Sequence, residues 1–439
     1  MRTRTIRMTY GAEGMDLRLP ADATVLTGQH PPAVPDVEHA IRAALAGPIG
    51  SPPLADLLAG RRPRTVAITI SDITRPVPNA VFLPVLLDVI NRAGIGDDRI
   101  VIIVGTGMHR PSTPDEHEML VGRGVLERVE VIDHRADDPA TLATVSEDPP
   151  VRVCRRFVQA DFRIVTGFIE PHFMAGFSGG RKGVCPALVD LRTVQRFHGY
   201  PALAAPEARE GALAGNPCHA IALAVARAVG VDFLFNVAVT GGGAVAGIYC
   251  GDLEAAHAAG CRQVGRWTGA PVEGPFDLVV TTGGGAPLDA TFYQTVKGMV
   301  TALPALGEHS TLLQVSRCDD GVGSAAYTDL MLRYAGDWRR FLADIAAEAD
   351  RTALDQWEYQ MQARVLARIG VERLWFASDG LDLATQRCLS VTPLAGDGPA
   401  AVRAQRAIDA FVAARPGARV AVIPEGPYTM LHPRGPADG

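Results

Sequence analysis

At 439 residues the chain is longer than one core of ~100–200 residues accommodates, so two or three lobes are expected. Hydrophobic residues make up 47% and charged residues 21%, which excludes a largely disordered chain. The net charge of −6 excludes a broadly basic nucleic-acid surface but leaves room for a local basic pocket that takes a small anion.

The N-terminal stretch 1–14 is basic and lacks the apolar run of a signal peptide. The most hydrophobic runs, 80–90 and 220–239, are broken by Pro84, Asp88, Arg227 and Asp232, so neither reads as a membrane span. The seven cysteines are scattered and form no CxxC pair, which argues against a disulfide framework or a thiolate zinc site. A soluble protein of the reducing cytoplasm is the expectation, without nucleic acid or membrane as partner.

Short, β-branched runs predict strands over 65–70, 99–104, 129–132, 162–166 and 233–239. Helical spacing fills 80–93 and 218–229. A Gly/Pro-rich break at 269–275 precedes a second set of strands over 277–281, 311–315, 373–377, 387–391 and 419–423. Helices are predicted between these strands over 290–301, 338–348, 352–369 and 400–414. Strands apolar on both faces that alternate with helices give an α/β protein with largely parallel sheets. The break divides it into an N-terminal α/β domain over 1–272 and a C-terminal α/β domain over 276–400. The terminal helix and strand, 401–439, are free to complete either domain, including by packing back on the first.

Ligands of open α/β sheets sit beyond the carboxyl ends of strands. Three strands of the first lobe run into reactive side chains there. The first leads to Ser71-Asp72-Ile73-Thr74-Arg75-Pro76, the second to Thr106-Gly107-Met108-His109-Arg110-Pro111, and the third to Glu170-Pro171-His172. Singly, Arg75 reads as an ordinary ion-pairing residue and His109 equally well as the partner of a backbone carbonyl. Titratable residues at three strand ends argue together for a site.

The third segment continues as Gly176-Phe177-Ser178-Gly179-Gly180-Arg181-Lys182-Gly183. This is neither a Walker A loop nor GxGxxG. Its glycines would let backbone N–H groups approach an anion, with Arg181 and Lys182 adding charge, unless it is a plain turn with solvated basic residues. In the second lobe Tyr293-Gln294-Thr295-Val296-Lys297 puts Gln294 and Lys297 three apart, on one helical face where both can reach one carboxylate. By pattern alone, Trp357 belongs to core packing. There is no HExxH, and His172 and His198 are too distant in sequence for a helical metal pair; imidazole ligands would suit nickel, zinc or copper alike.

The segments GFIEPHFMAGFSGGRKGVCP, SDITRPVP, GTGMHRP and APLDATFYQTVK together resemble the nickel-dependent lactate racemase family, a similarity running through almost the whole chain. The resemblance implies two α/β domains with an interdomain active-site cleft. It implies a nickel-pincer nucleotide cofactor, a pyridinium mononucleotide whose two sulfur arms grip nickel, covalently attached to Lys182. His198 would be the protein ligand to nickel, and His109 and His172 the catalytic acid–base pair. Asp72, Ser178, Gly179, Arg181, Tyr293 and Lys297 would line the cofactor. Arg75, Gln294, Lys297 and Trp357 would hold the substrate, a small 2-hydroxy acid. Cofactor-building enzymes would be needed as loading partners. One departure is visible, since Pro186 is followed by Ala187 where the family commonly has Pro-Gly.

The expected activity is that of an isomerase inverting C2 of a 2-hydroxy acid, lactate by default, by hydride transfer through a 2-keto acid. Removing hydride avoids building a second negative charge beside the carboxylate, and histidine suits the hydroxyl proton in both directions. The alternatives are the same chemistry on a sugar acid, an aromatic hydroxy acid or a diacid, a cofactor-free racemase with Lys182 as base, or a non-catalytic nickel- or nucleotide-binding protein.

Overall fold

The structure is a computed structural model that describes residues 2–433. The chain is α/β with two six-stranded, largely parallel sheets, and it divides into two compact units. One unit is made of two inserted segments, 30–198 and 205–267; the other, flanking unit is made of 2–29, 199–204 and 268–433. Among the described residues no helix is long and apolar enough to cross a membrane, and all seven cysteines are free thiols.

The inserted unit is built on the strands Val66–Ser71, Ile100–Gly105, Glu130–Asp133, Phe162–Phe168, Phe233–Val239 and Val245–Gly251. Val66–Ser71 is central, with Ile100–Gly105 and then Glu130–Asp133 on one side and Phe162–Phe168 and then Phe233–Val239 on the other, all parallel. Val245–Gly251 closes the edge as an antiparallel partner. One sheet face carries Ile68, Ile70, Ile102, Ile164 and Phe235 against Phe82, Leu83, Leu86 and Ile90 of the helix Asn79–Arg92. Burying each such side chain contributes about 1.5–3 kcal/mol, and this packing holds the strand ends in fixed relation.

The flanking unit runs Thr392–Pro393, Leu374–Ala377, Leu306–Val315, Phe276–Thr282, Val420–Ile423 and Thr24–Val25 across its sheet. Residues 1–29, expected in the first lobe, therefore belong here. The hairpin Thr3–Met8 with Met15–Pro20 turns Met15, Leu17 and Leu19 into this unit's core, and Thr24–Val25 pairs with Ala421 and Val422. The helix Ala400–Ala414 and the strand Val420–Ile423 also complete this unit and not the N-terminal lobe, because Val420–Ile423 hydrogen-bonds directly to Phe276–Thr282.

The expected strand over 387–391 is a second correction. Residues 383–388 form the helix Leu383–Cys388, nucleated by Asp382, whose carboxylate accepts the Thr385 N–H at 2.8 Å. The edge strand follows at Thr392–Pro393.

Candidate active site

In the inserted sheet the strand order reverses beside Val66–Ser71, and the carboxyl ends of that strand and of its two neighbours deliver the reactive residues. After the first strand, Asp72 is buried. Its Oδ2 lies 2.6 Å from His109 Nδ1, carried by the loop after Ile100–Gly105, while Thr74 Oγ1 donates to Oδ1 at 2.7 Å. Burial opposes ionisation of Asp72, but the hydrogen bond and attraction of His109, with Thr74 and Arg75 behind it, outweigh that and hold the carboxyl below its ordinary value. A carboxylate on Nδ1 keeps a proton there, so the neutral form of the His109 ring has its lone pair on Nε2.

His172 is framed differently. It sits in the short hairpin of Pro171–His172 with Gly176–Phe177, where the backbone N–H groups of Met174 and Ala175 approach its Nδ1 at 3.4 and 3.2 Å. Donors on Nδ1 place the proton of the neutral ring on Nε2, which stands 3.1 Å from Lys182 Nζ. The two histidines thus rest in opposite tautomers.

Lys182 lies in the 3-10 turn Gly180–Gly183, its amine 5.2 Å above the Phe197 ring. Desolvation first, then the charges of Arg75 and Arg181, lowers its pKa to about 7, so an appreciable share is a neutral, nucleophilic amine at neutral pH. His198 caps the helix Leu191–Phe197, and its Nδ1–H donates to Val194 O at 2.9 Å. Burial, and next the Lys182 charge, push its pKa down to about 3. It is a neutral imidazole with its lone pair on Nε2, the form a metal takes. Among the described residues no group of three or more His, Cys, Asp or Glu side chains is arranged to hold a metal.

The glycines of the loop are required by close packing. A Cβ on Gly180 would come within 2.5 Å of the His257 ring and one on Gly183 within 2.5 Å of Val165, so these glycines serve close packing. The Gly180 N–H is already bonded to Asn236 Oδ1 at 2.7 Å. Arg181 is 1% exposed. Its guanidinium donates to Ala175 O at 2.7 Å and Phe177 O at 2.9 Å and meets His257 Nε2 at 3.1 Å. Ser178 Oγ bonds Phe168 O and the Glu170 N–H, both at 2.9 Å. Ser178, Gly179 and Arg181, expected to line a cofactor, are engaged with the protein's own backbone and set the path of the loop on which Lys182 stands.

Sequence reasoning quoted Glu170 without giving it a role. Its Oε1 accepts from Arg75 Nη1 at 3.3 Å, so the arginine assigned to a substrate carboxylate already faces one carboxylate. Ala187 is accommodated by a glycine. A Cβ on Gly105 would lie 2.8 Å from the Ala187 methyl, and Ala187 O accepts the Gly107 N–H at 3.0 Å, tethering the loop that leads to His109.

The remaining expected residues belong to the flanking unit. Gln294 and Lys297 lie on the half-buried face of the helix Phe292–Thr301, and Gln294 Oε1 is buried with no hydrogen-bond partner among the described residues. Trp357 is buried, and its Nε1–H donates to Tyr293 OH at 2.9 Å.

Residues 10–211 match the lactate racemase N-terminal domain and residues 272–427 the lactate racemase C-terminal domain. The chain is 35% identical over 350 residues to a protein named lactate racemase from Lactiplantibacillus plantarum, covering 79% of this chain and 80% of that one. It is 32% identical over 333 residues to a lactate racemase from Thermoanaerobacterium thermosaccharolyticum, covering 75% and 77%. The solved structure of the lactate racemase apoprotein from the latter organism superposes with a TM-score of 0.89 at 28% identity, covering 98% of this chain and all of that one. A Thermotoga maritima protein superposes at 0.63 with 16% identity, covering 92% of this chain and 100% of its own, and shows the shared fold alone.

Proposed function

The chain belongs to the lactate racemase family, a family of isomerases, and from that premise we propose that it inverts C2 of a 2-hydroxy acid, lactate by default, through a 2-keto acid. The observation that carries this reading is the convergence of a nucleophilic lysine, two histidines of opposite tautomer and an arginine on three strand ends of one sheet.

The residues fit a nickel-pincer nucleotide. Lys182 offers an amine lowered to about 7 for covalent attachment, and His198 offers one neutral imidazole. A single such ligand suits a metal whose remaining donors come from an organic group. Bound there, the group supplies an electron-poor acceptor that takes and returns a hydride.

The chain's own residues do the rest. Arg75 orients the substrate carboxylate with its planar fork. His109, with Nδ1 held by Asp72, takes the hydroxyl proton on Nε2 and becomes the imidazolium, while His172 returns a proton from Nε2 as the imidazolium and is left neutral. Inversion of the opposite enantiomer starts from the reverse arrangement. By the family resemblance, Tyr293, Gln294, Lys297 and Trp357 are the candidates for excluding water and steadying the keto acid. Support for a reducing, cytoplasmic setting comes from the seven free thiols.

The test is to express the chain with the cofactor-building enzymes and nickel, read the adduct by intact mass, and assay C2-deuterated lactate. Deuterium retained at C2 during inversion supports hydride return. Washout at the rate of inversion favours direct deprotonation, and a loaded protein that inverts no 2-hydroxy acid removes the racemase reading.

A further inference from the structure

Arg75 and Glu170 are both half-buried at the ends of neighbouring strands and joined by an ion pair of 3.3 Å. Glu170 is not a swinging side chain on a loose loop. Its N–H donates to Ser178 Oγ and its C=O accepts the Ser178 N–H, each at 2.9 Å. Gly179 continues that turn at φ +72°, where a Cβ would strike Asn236 and the Phe168 carbonyl. The backbone of Glu170 is thus pinned on both sides.

An arginine has donors on more than one edge of its fork, so a ligand carboxylate can join Arg75 beside Glu170. A ligand with a second carboxylate brings another negative charge toward Glu170. Arg181 has its guanidinium donors on the carbonyls of Ala175 and Phe177 and does not offer them to that second carboxylate. A fixed like charge is an effective way to reject a competitor.

We propose that Glu170, braced by Ser178 and paired with Arg75, restricts this site to 2-hydroxy acids with a single carboxylate and rejects dicarboxylic ones. The inference rests on the racemase reading and deepens it to a substrate class. Glu170 acts on selectivity; the hydroxyl proton remains with the histidines.

The experiment measures kcat/KM for lactate and for malate with the loaded enzyme, and in parallel the calorimetric affinity of the unloaded chain for the same two acids. Wild type, Glu170→Gln and Glu170→Asp are compared. Lactate should be preferred over malate by tenfold or more, as expected for like charges a few ångströms apart. Glu170→Gln should narrow that ratio by about tenfold, and Glu170→Asp, which keeps the charge, should largely preserve it. A general loosening of the fold would lower both substrates together and leave the ratio alone. A wild-type preference for malate, or a ratio unmoved by Glu170→Gln, overturns the proposal. If the loaded enzyme inverts neither acid, the assignment of lactate as substrate fails by itself, and the binding ratio on the unloaded chain decides the role of Glu170.

Discussion

Both units carry a parallel sheet with a point where strand order reverses, and the two crevices are used in opposite ways. In the inserted unit the strand ends around Val66–Ser71 open onto Asp72, Arg75, His109, Glu170 and His172. In the flanking unit the reversal lies beside Phe276–Thr282, next to Val420–Ile423, and the chain's own N-terminal segment fills it. The Thr9 N–H donates to Pro424 O at 2.9 Å, Thr9 Oγ1 meets Thr282 Oγ1 at 2.7 Å, and the Gly11 N–H reaches Asp289 Oδ2 at 2.8 Å. A cavity of about 450 Å3 beside that segment is lined by residues 7–14, Thr27, 284–286, Pro424 and Glu425, without a histidine, lysine or cysteine. Topology supplies a crevice in each sheet; side-chain chemistry makes the first the candidate site.

The comparison can be broken most decisively at Lys182. Lys182→Ala should abolish the covalent adduct in intact mass, and full loading of that variant would move the anchor elsewhere. The same amine has a signature in the unloaded protein. Its folded pKa of about 7 lies below the ordinary 10.5, so between those values the unfolded chain binds the extra proton, and stability should rise with pH across that window. Lys182→Met should flatten that rise in denaturant titrations.

Next in size, replacing His109 or His172 by Gln should leave loading intact and cut turnover by roughly 10²–10⁴-fold; a near-normal rate would remove that residue from the acid–base pair. Asp72→Asn, which keeps the shape but loses the fixed acceptor on His109 Nδ1, should cost about 10–100-fold in kcat with unchanged nickel content. The smallest effect on function belongs to the plugged crevice. Asp289 is buried and accepts from the Gly11 and Arg317 N–H groups, so Asp289→Ala should lower stability by about 2–4 kcal/mol while adduct formation persists. Lost loading at retained stability would show that this crevice takes part in the chemistry.

Most sheet strands were legible because residues such as those of Ile100–Gly105 and Phe233–Val239 are buried on both faces, and such strands read as unbroken apolar runs. The N-terminal hairpin was not assigned, although Met15, Leu17 and Leu19 alternate with Asp16 and Arg18 as a half-buried strand should. Its mostly exposed partner Thr3–Met8 carries little apolar signal, and its membership in the flanking unit is set by core packing with residues such as Ile408 and Val422, far along the chain. Asp382 before Leu383 was the local cue that argued against a strand over 387–391. Within the site, sequence motifs pointed to the strand-end residues the fold gathers, Asp72, His109 and His172. They did not give the direction in which Arg181 points or the partner of Arg75. Inward burial of a guanidinium on carbonyls and an ion pair across 95 positions are tertiary facts with no local spacing to announce them.

The discontinuity of the flanking unit has a consequence for biosynthesis. Thr24 must wait for Ala421, its ladder partner nearly 400 residues later, whereas the inserted unit has its whole sheet available once residue 267 has emerged. Assembly during translation should therefore complete the inserted sheet first and leave Thr24–Val25 unpaired, and the apolar face of the amino-terminal hairpin without its core, until the strand Val420–Ile423 arrives.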